Sequence, residues 1–177
     1  MIHQLCNLNN EISAAFNQAV VIKLTSLTSF NHLTDDQSIQ DIISNIPESS
    51  EAIVFDFLPE NKTLNYITRN SAAGRSYRLT SSFVVTPLDK NLQSLLERYN
   101  NELVVLLVKK QDSTFLYGTT TSPLLFLYNE KHSNKDATLK GYTVKISGDC
   151  LGASKQFENI DLNIFNRGLA FELAGPL

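Results

Sequence analysis

The stretch ELVVLLVKK, residues 102–110, decides the fold. Six consecutive apolar residues, many of them β-branched, lie between charged ends, which predicts a strand buried on both faces. A short polar break follows at 111–113, and residues 114–117 again have strand character up to Gly118. The two runs therefore predict a β-hairpin.

An amphipathic helix is predicted immediately before this strand, over residues 87–99. Thr86 supplies a capping hydroxyl, Pro87 suits the first helical position, and Asp89 places negative charge in the first turn. Asn100 and Asn101 tolerate the left-handed conformation that ends many helices. One apolar stripe recurs with a period near 3.6 residues: Leu88, Leu92, Leu95, Leu96 and Tyr99.

Two further strands are predicted after the hairpin. Pro123 precedes an apolar run at 124–128, and a polar loop at 129–140 leads to 141–148. In this last segment Tyr142, Val144 and Ile146 alternate with polar residues, which indicates a strand with one solvent-facing side.

The first half of the chain predicts four more strands and a second helix. We expect a polar segment at 1–18 without an assigned structure, although Ile12, Phe16 and Ala19 suggest helical spacing. Strands are expected at 20–25, 51–58, 63–68 and 76–85. The turn at 59–62 predicts that 51–58 and 63–68 pair as a hairpin, and 70–74 has the composition of a flexible connection. Residues 35–46 form a helix pattern, with Thr34 and Gln37 as a capping box and Pro47 as its stop.

These elements predict a β-rich α+β fold, an antiparallel β-sandwich or a partly closed barrel with one main flanking helix. The 177 residues are enough for a single domain without disulfides or metal, and we place it at 1–159. Residues 160–177 are predicted to form a C-terminal arm, because its apolar residues alternate as in an edge strand. The arm could pair within its own subunit or with a neighbour, and its candidate interface residues are Ile164, Phe165, Leu169, Phe171 and Leu173.

Composition excludes several classes of function. A formal charge of -3 argues against a general binder of nucleic acid or anionic membranes, although a local basic patch is compatible with it. The sequence has no apolar run long enough for a membrane span and no signal-peptide pattern at its start, so we expect synthesis in a reducing cytoplasm. Cys6 and Cys150 are expected to be free thiols.

Candidate catalytic and metal-binding residues all have a simpler structural explanation. The histidines, His3, His32 and His132, lack ligand spacing, and Asp35 and Asp36 suit a helix N-terminus. Lys109 and Lys110 are expected at a solvated strand end rather than at a phosphate site. A Cys150 nucleophile assisted by Asp149 and His132 lacks a local orienting group. The sequence therefore predicts no enzyme activity, no cofactor, no metal and no small-molecule substrate.

The order of elements over residues 76–150 resembles that of a known group of proteins. The relevant segments are 102–110, QDSTFLYG at 111–118, SPL at 122–124 and GYTVKISGD at 141–149. They resemble virion structural proteins of tailed bacteriophages and prophages, small tail or neck components with a tail-tube-like β-sandwich and one flanking helix.

The resemblance implies a protein that assembles with copies of itself and with neighbouring virion proteins. Protomers would form or join a tail, neck or baseplate ring, with DNA passing non-specifically through the lumen. The chain would be made in the cytoplasm of the bacterial host and end in the virion. The alternative hypothesis is a stand-alone protein-binding adaptor, with its site in the loops at 129–140 and 149–158.

Overall fold

A computed structural model describes residues 16–27, 52–56, 62–71, 74–85, 90–110, 113–131 and 141–158. Most of these residues lie in nine strands, joined by one α-helix and one short 3-10 helix. The elements in chain order are β1 (Phe16–Lys23), the 3-10 helix (Leu24–Leu27), β2 (Ala52–Asp56), β3 (Lys62–Ser71), β4 (Gly74–Val85), α1 (Lys90–Tyr99), β5 (Leu103–Lys110), β6 (Ser113–Tyr117), β7 (Leu124–Lys131), β8 (Gly141–Cys150) and β9 (Lys155–Glu158).

All strand pairs are antiparallel, and the sheet forks at β5. One edge of β5 pairs with β1, which pairs in turn with β2. The other edge is divided: its beginning pairs with β7 and its end pairs with β6. The first limb of the fork is therefore β2-β1-β5-β6-β9, and the second is β7-β8-β4-β3.

Both faces of β5 are buried, as the sequence predicted. Val104, Leu106 and Val108 belong to the main core, whereas Val105 and Leu107 belong to a second apolar cluster on the opposite face of the first limb. Leu27 of the 3-10 helix joins this second cluster. Side chains point alternately to the two faces of a strand, so a continuous apolar run is needed where both faces exclude water.

The main core lies where side chains of the two limbs meet. Phe55 of β2 packs against Phe83 of β4 with ring centroids 4.9 Å apart, and Tyr66 of β3 meets Tyr117 of β6 edge to face at 5.3 Å. Because the members of each pair belong to different limbs, burial of these rings ties one limb to the other.

Helix α1 contributes its predicted apolar stripe to this core. Leu92, Leu95, Leu96 and Tyr99 are buried, and the Tyr99 ring lies 5.7 Å from that of Phe126 in β7. The helix ends as predicted, with Asn101 at a φ of 64°. The Asn101 amide donates to the Phe126 carbonyl at 2.9 Å, which fixes the helix end onto β7. Leu88 and the predicted N-cap lie outside the described residues.

The predicted pairing of the second and third strands is wrong. β2 pairs with β1 and β3 pairs with β4, so β2 and β3 belong to different limbs. The predicted flexible connection at 70–74 is also wrong in part, since the β3–β4 ladder continues to the pair Ser71 and Gly74. Local turn residues indicated a bend but did not determine which strand each segment would pair with.

Other boundaries also differ from the sequence prediction. Residues 16–18, assigned to the polar segment, belong to β1, while Leu24 and Thr25 belong to the 3-10 helix. Strand β7 continues to Lys131, and β9 occupies part of the predicted loop at 149–158.

The described strands form an open sheet, so the partly closed barrel is not supported by this part of the chain. The predicted helix at 35–46 lies outside the described residues.

A glycine in β8 allows close approach of Leu124, the first residue of β7. A Cβ added at Gly148 would lie 2.9 Å from Leu124 Cδ2 and 3.1 Å from the Pro123 carbonyl oxygen. We expect Gly148→Ala to lower the free energy of unfolding by about 1–3 kcal/mol through overpacking. Gly152→Ala is the matched control, because its Cβ would meet nothing within 4 Å. Equal urea denaturation midpoints for the two variants would contradict this packing.

Candidate functional site

The β3–β4 hairpin is the most exposed part of the described sheet. Its ladder continues past the last β4–β8 pair, Tyr77 with Cys150, to a connection in which Gly74 has a φ of 120°. Toward the tip both faces of β3 are exposed, including Arg69 and Asn70, and Ile67 is 47% exposed. The hairpin therefore extends beyond the core that stabilises the rest of β4.

An exposed ion pair links the base of this hairpin to β8. Arg78 Nε and Nη2 donate to the two carboxylate oxygens of Asp149, each at 2.7 Å. Arg78 and Asp149 are also cross-strand partners in the β4–β8 ladder. The hydrogen bonds from Arg78 hold the pKa of Asp149 below its ordinary value, with further attraction from Arg69. These two hydrogen bonds connect the base of the hairpin to β8.

Stacked aromatic rings support the opposite face of the hairpin base. Tyr66 and Tyr77 lie on neighbouring strands with ring centroids 5.4 Å apart and an interplanar angle of 4°. The Tyr66 hydroxyl accepts a hydrogen bond from the Ser154 amide at 2.8 Å, which connects the hairpin to the segment between β8 and β9. Burial raises the pKa of Tyr66, so this hydroxyl stays protonated at neutral pH.

A small pocket adjoins this aromatic group. Its lining includes Tyr66, Tyr117, Gly118, Cys150 and Ser154. Burial raises the pKa of the Cys150 thiol, and the nearby Asp149 adds to the increase, although the Gly118 amide acts in the opposite direction. A raised pKa disfavours the thiolate, so the surroundings of Cys150 do not activate it as a nucleophile.

The geometry of the described residues does not support a Cys150 nucleophile or a phosphate site at Lys110. Asp149 is engaged by Arg78 rather than directed at a thiol, and His132 lies outside the described residues. Lys110 is half-buried, with its ammonium 4.4 Å from the centroid of the Phe115 ring, and burial lowers its pKa. Lys110 is therefore packed against an aromatic ring rather than fully solvated as the sequence predicted.

Among the described residues no group of three or more His, Cys, Asp or Glu side chains is arranged to hold a metal ion. None of the helical segments described is long and apolar enough to cross a membrane.

Several residues singled out in the sequence lie outside the described ranges. They are the candidate interface residues of the arm (Ile164, Phe165, Leu169, Phe171, Leu173) and also His3, His32, Asp35, Asp36 and Cys6. The hairpin arginines Arg69, Arg75 and Arg78 were not predicted as a group. The available indication was their close spacing around Gly74, which a hairpin brings together.

Searches against protein-family models, curated proteins and solved structures found no match to the chain.

The Arg78–Asp149 ion pair makes a pH-dependent contribution to stability, which can be measured by titrating the Asp149 carboxyl group. The folded-state pKa of Asp149 is lowered, so the pair stabilises the hairpin at neutral pH and this contribution is lost as pH falls through that lowered pKa. In a carboxyl-carbon NMR titration, we expect Arg78→Gln to raise the pKa of Asp149 toward its ordinary value. Arg75→Gln is the control on the same strand, and an equal increase in both variants would contradict the assigned pairing.

Proposed function

We propose that this chain is a structural virion protein of a tailed bacteriophage or prophage, which self-assembles or docks into a tail, neck or baseplate ring. The observation that carries the proposal is the long β3–β4 hairpin at the edge of the sheet. Strand β3 ends the strand order of the second limb, and its outer edge has no strand partner among the described residues. Such an edge presents backbone donors and acceptors that another chain can pair with.

The paired limbs support the tail-tube-like architecture that the sequence resemblance implies. Contacts between Phe55 and Phe83 and between Tyr66 and Tyr117 cross from one limb to the other. We infer a β-sandwich in which the limbs form two layers and α1 flanks the core. A sandwich exposes its edge strands and end loops, which are the parts that contact neighbours in a ring.

The C-terminal arm supplies a second set of contacts in this proposal. Its alternating apolar residues, among them Leu169, Phe171 and Leu173, are suited to pairing at a sheet edge of a neighbouring subunit. The chain would act by self-association and by binding neighbouring virion proteins, without catalysis or cofactor, and DNA would pass through the ring without specific contacts.

The adaptor hypothesis is supported by one feature, the pocket beside Tyr66. Residues 151–154, which connect β8 and β9, lie within the loop region predicted for that hypothesis and contribute Gly152 and Ser154 to the pocket lining. Partner binding that survives removal of the arm would favour this second function.

Assembly is tested by measuring the solution mass of the purified chain by light scattering, with negative-stain images of the same peak. We expect rings or ring-sized oligomers from the full chain. A chain truncated after Asn159 should assemble less, because the arm is lost while β9, which ends at Glu158, is retained. Circular dichroism of the truncated chain controls for folding.

A docking component would require its partner ring, so the test includes mass spectrometry of particles purified from cells that encode the chain. The proposal expects the chain in those particles. A full-length chain that is monomeric in solution and also missing from the particles, although present in the lysate, would contradict the proposal.

A further inference from the structure

The described residues contain twelve of the 15 Lys and Arg but six of the 18 Asp and Glu. The position of these few carboxylates relative to the basic side chains therefore decides which described surfaces of two copies can attract each other.

Three of the twelve described basic residues lie at one end of the second limb. Arg69, Arg75 and Arg78 lie on the β3–β4 hairpin, and we call these three residues the basic hairpin. Arg78 is paired with Asp149, whereas Arg69 and Arg75 are exposed and make no ion pair among the described residues. Exposed guanidinium groups on both faces of a projecting hairpin can bind carboxylates with two hydrogen bonds each.

Two carboxylates lie toward the other end of the same limb, around Tyr128. Glu97 of α1 accepts a hydrogen bond from the Tyr128 hydroxyl, and Glu130 follows two residues later on β7. The Glu97 hydrogen bond, with burial and the negative charge of both carboxylates, raises the pKa of Tyr128 to about 12. We call Glu97 and Glu130 the acidic pair, and both side chains are exposed.

The strand register separates the two groups along the sheet. Glu130 pairs with Tyr142 of β8, whereas Arg78 pairs with Asp149 of the same strand. Those seven residues of β8 span about 23 Å at about 3.3 Å per residue. The basic hairpin and the acidic pair are thus too far apart to contact each other within one subunit.

We propose that the basic hairpin of one copy docks on the acidic pair of a second copy. A symmetric contact between two hairpins would place arginine against arginine, so the favourable contact joins unlike surfaces. Repetition of such a head-to-tail contact gives a ring when the rotation closes and a filament when it does not. This contact rests on the proposed assembly function and assigns the surfaces that meet.

Charge reversal tests the contact in the full chain. Arg69→Glu with Arg75→Glu should weaken self-association at least about tenfold by sedimentation at low ionic strength, because attraction at the interface becomes repulsion. Glu97→Arg with Glu130→Arg should weaken it similarly. Lys90→Glu with Lys145→Glu gives the same net charge as the first variant at exposed positions outside both groups, and it should associate like the wild type.

Mixing the two interface variants is the decisive measurement. Each variant retains one native surface, and the two reversed surfaces are again complementary. An equimolar mixture should therefore associate more tightly than either variant alone. Circular dichroism melts identify any variant that fails to fold, and wild-type association should weaken with added salt.

The outcomes separate this contact from the proposed function. Association of the Arg69→Glu, Arg75→Glu variant at the wild-type level, no recovery on mixing, or a monomeric wild-type chain at low ionic strength would each overturn the contact. The proposed function would still stand in those cases if the chain occurs in purified particles, and it fails only when the chain is monomeric and missing from them.

Discussion

The structure depends on one strand whose two edges and two faces are all occupied. β5 pairs with β1 along one edge and divides its other edge between β7 and β6. Its apolar side chains enter the main core on one face and the second apolar cluster on the other. β5 is the middle strand of the first limb and also pairs with β7, the first strand of the second limb. A polar substitution in β5 would therefore leave an unpaired group in the main core or in the second cluster, depending on the face to which the residue points.

Local sequence patterns correctly predicted those elements whose buried residues form a continuous or regularly spaced apolar pattern. The continuous apolar run of β5, the stripe of α1 and the alternation of β8 each predicted the observed element and its buried face. At residues 16–19 the same reasoning failed for a physical reason. The register of the β1–β5 ladder shifts between Phe16 and Gln18, and Phe16 and Ala19 face the same core at a spacing that resembles a helix.

Pairing partners were harder to predict than the elements, because they depend on contacts distant in sequence. The turn residues at 59–62 favoured a hairpin of β2 with β3, but burial of Phe55 against Phe83 accompanies pairing of β2 with β1. The basic hairpin was also missed. Its arginines are unremarkable in the sequence and become a group only when the β3–β4 ladder brings Arg69 and Arg78 to one end of the sheet.

Amide hydrogen exchange, measured under conditions in which the subunits are dissociated, tests the central role of β5 most directly. The fork predicts that the amides of residues 104–108 exchange slowest, through global unfolding, because releasing them separates both limbs. The exposed hairpin residues 69–71 and 74–76 should exchange much faster. Exchange of the β5 amides at the rate of the hairpin tip, while β8 stays protected, would contradict the account.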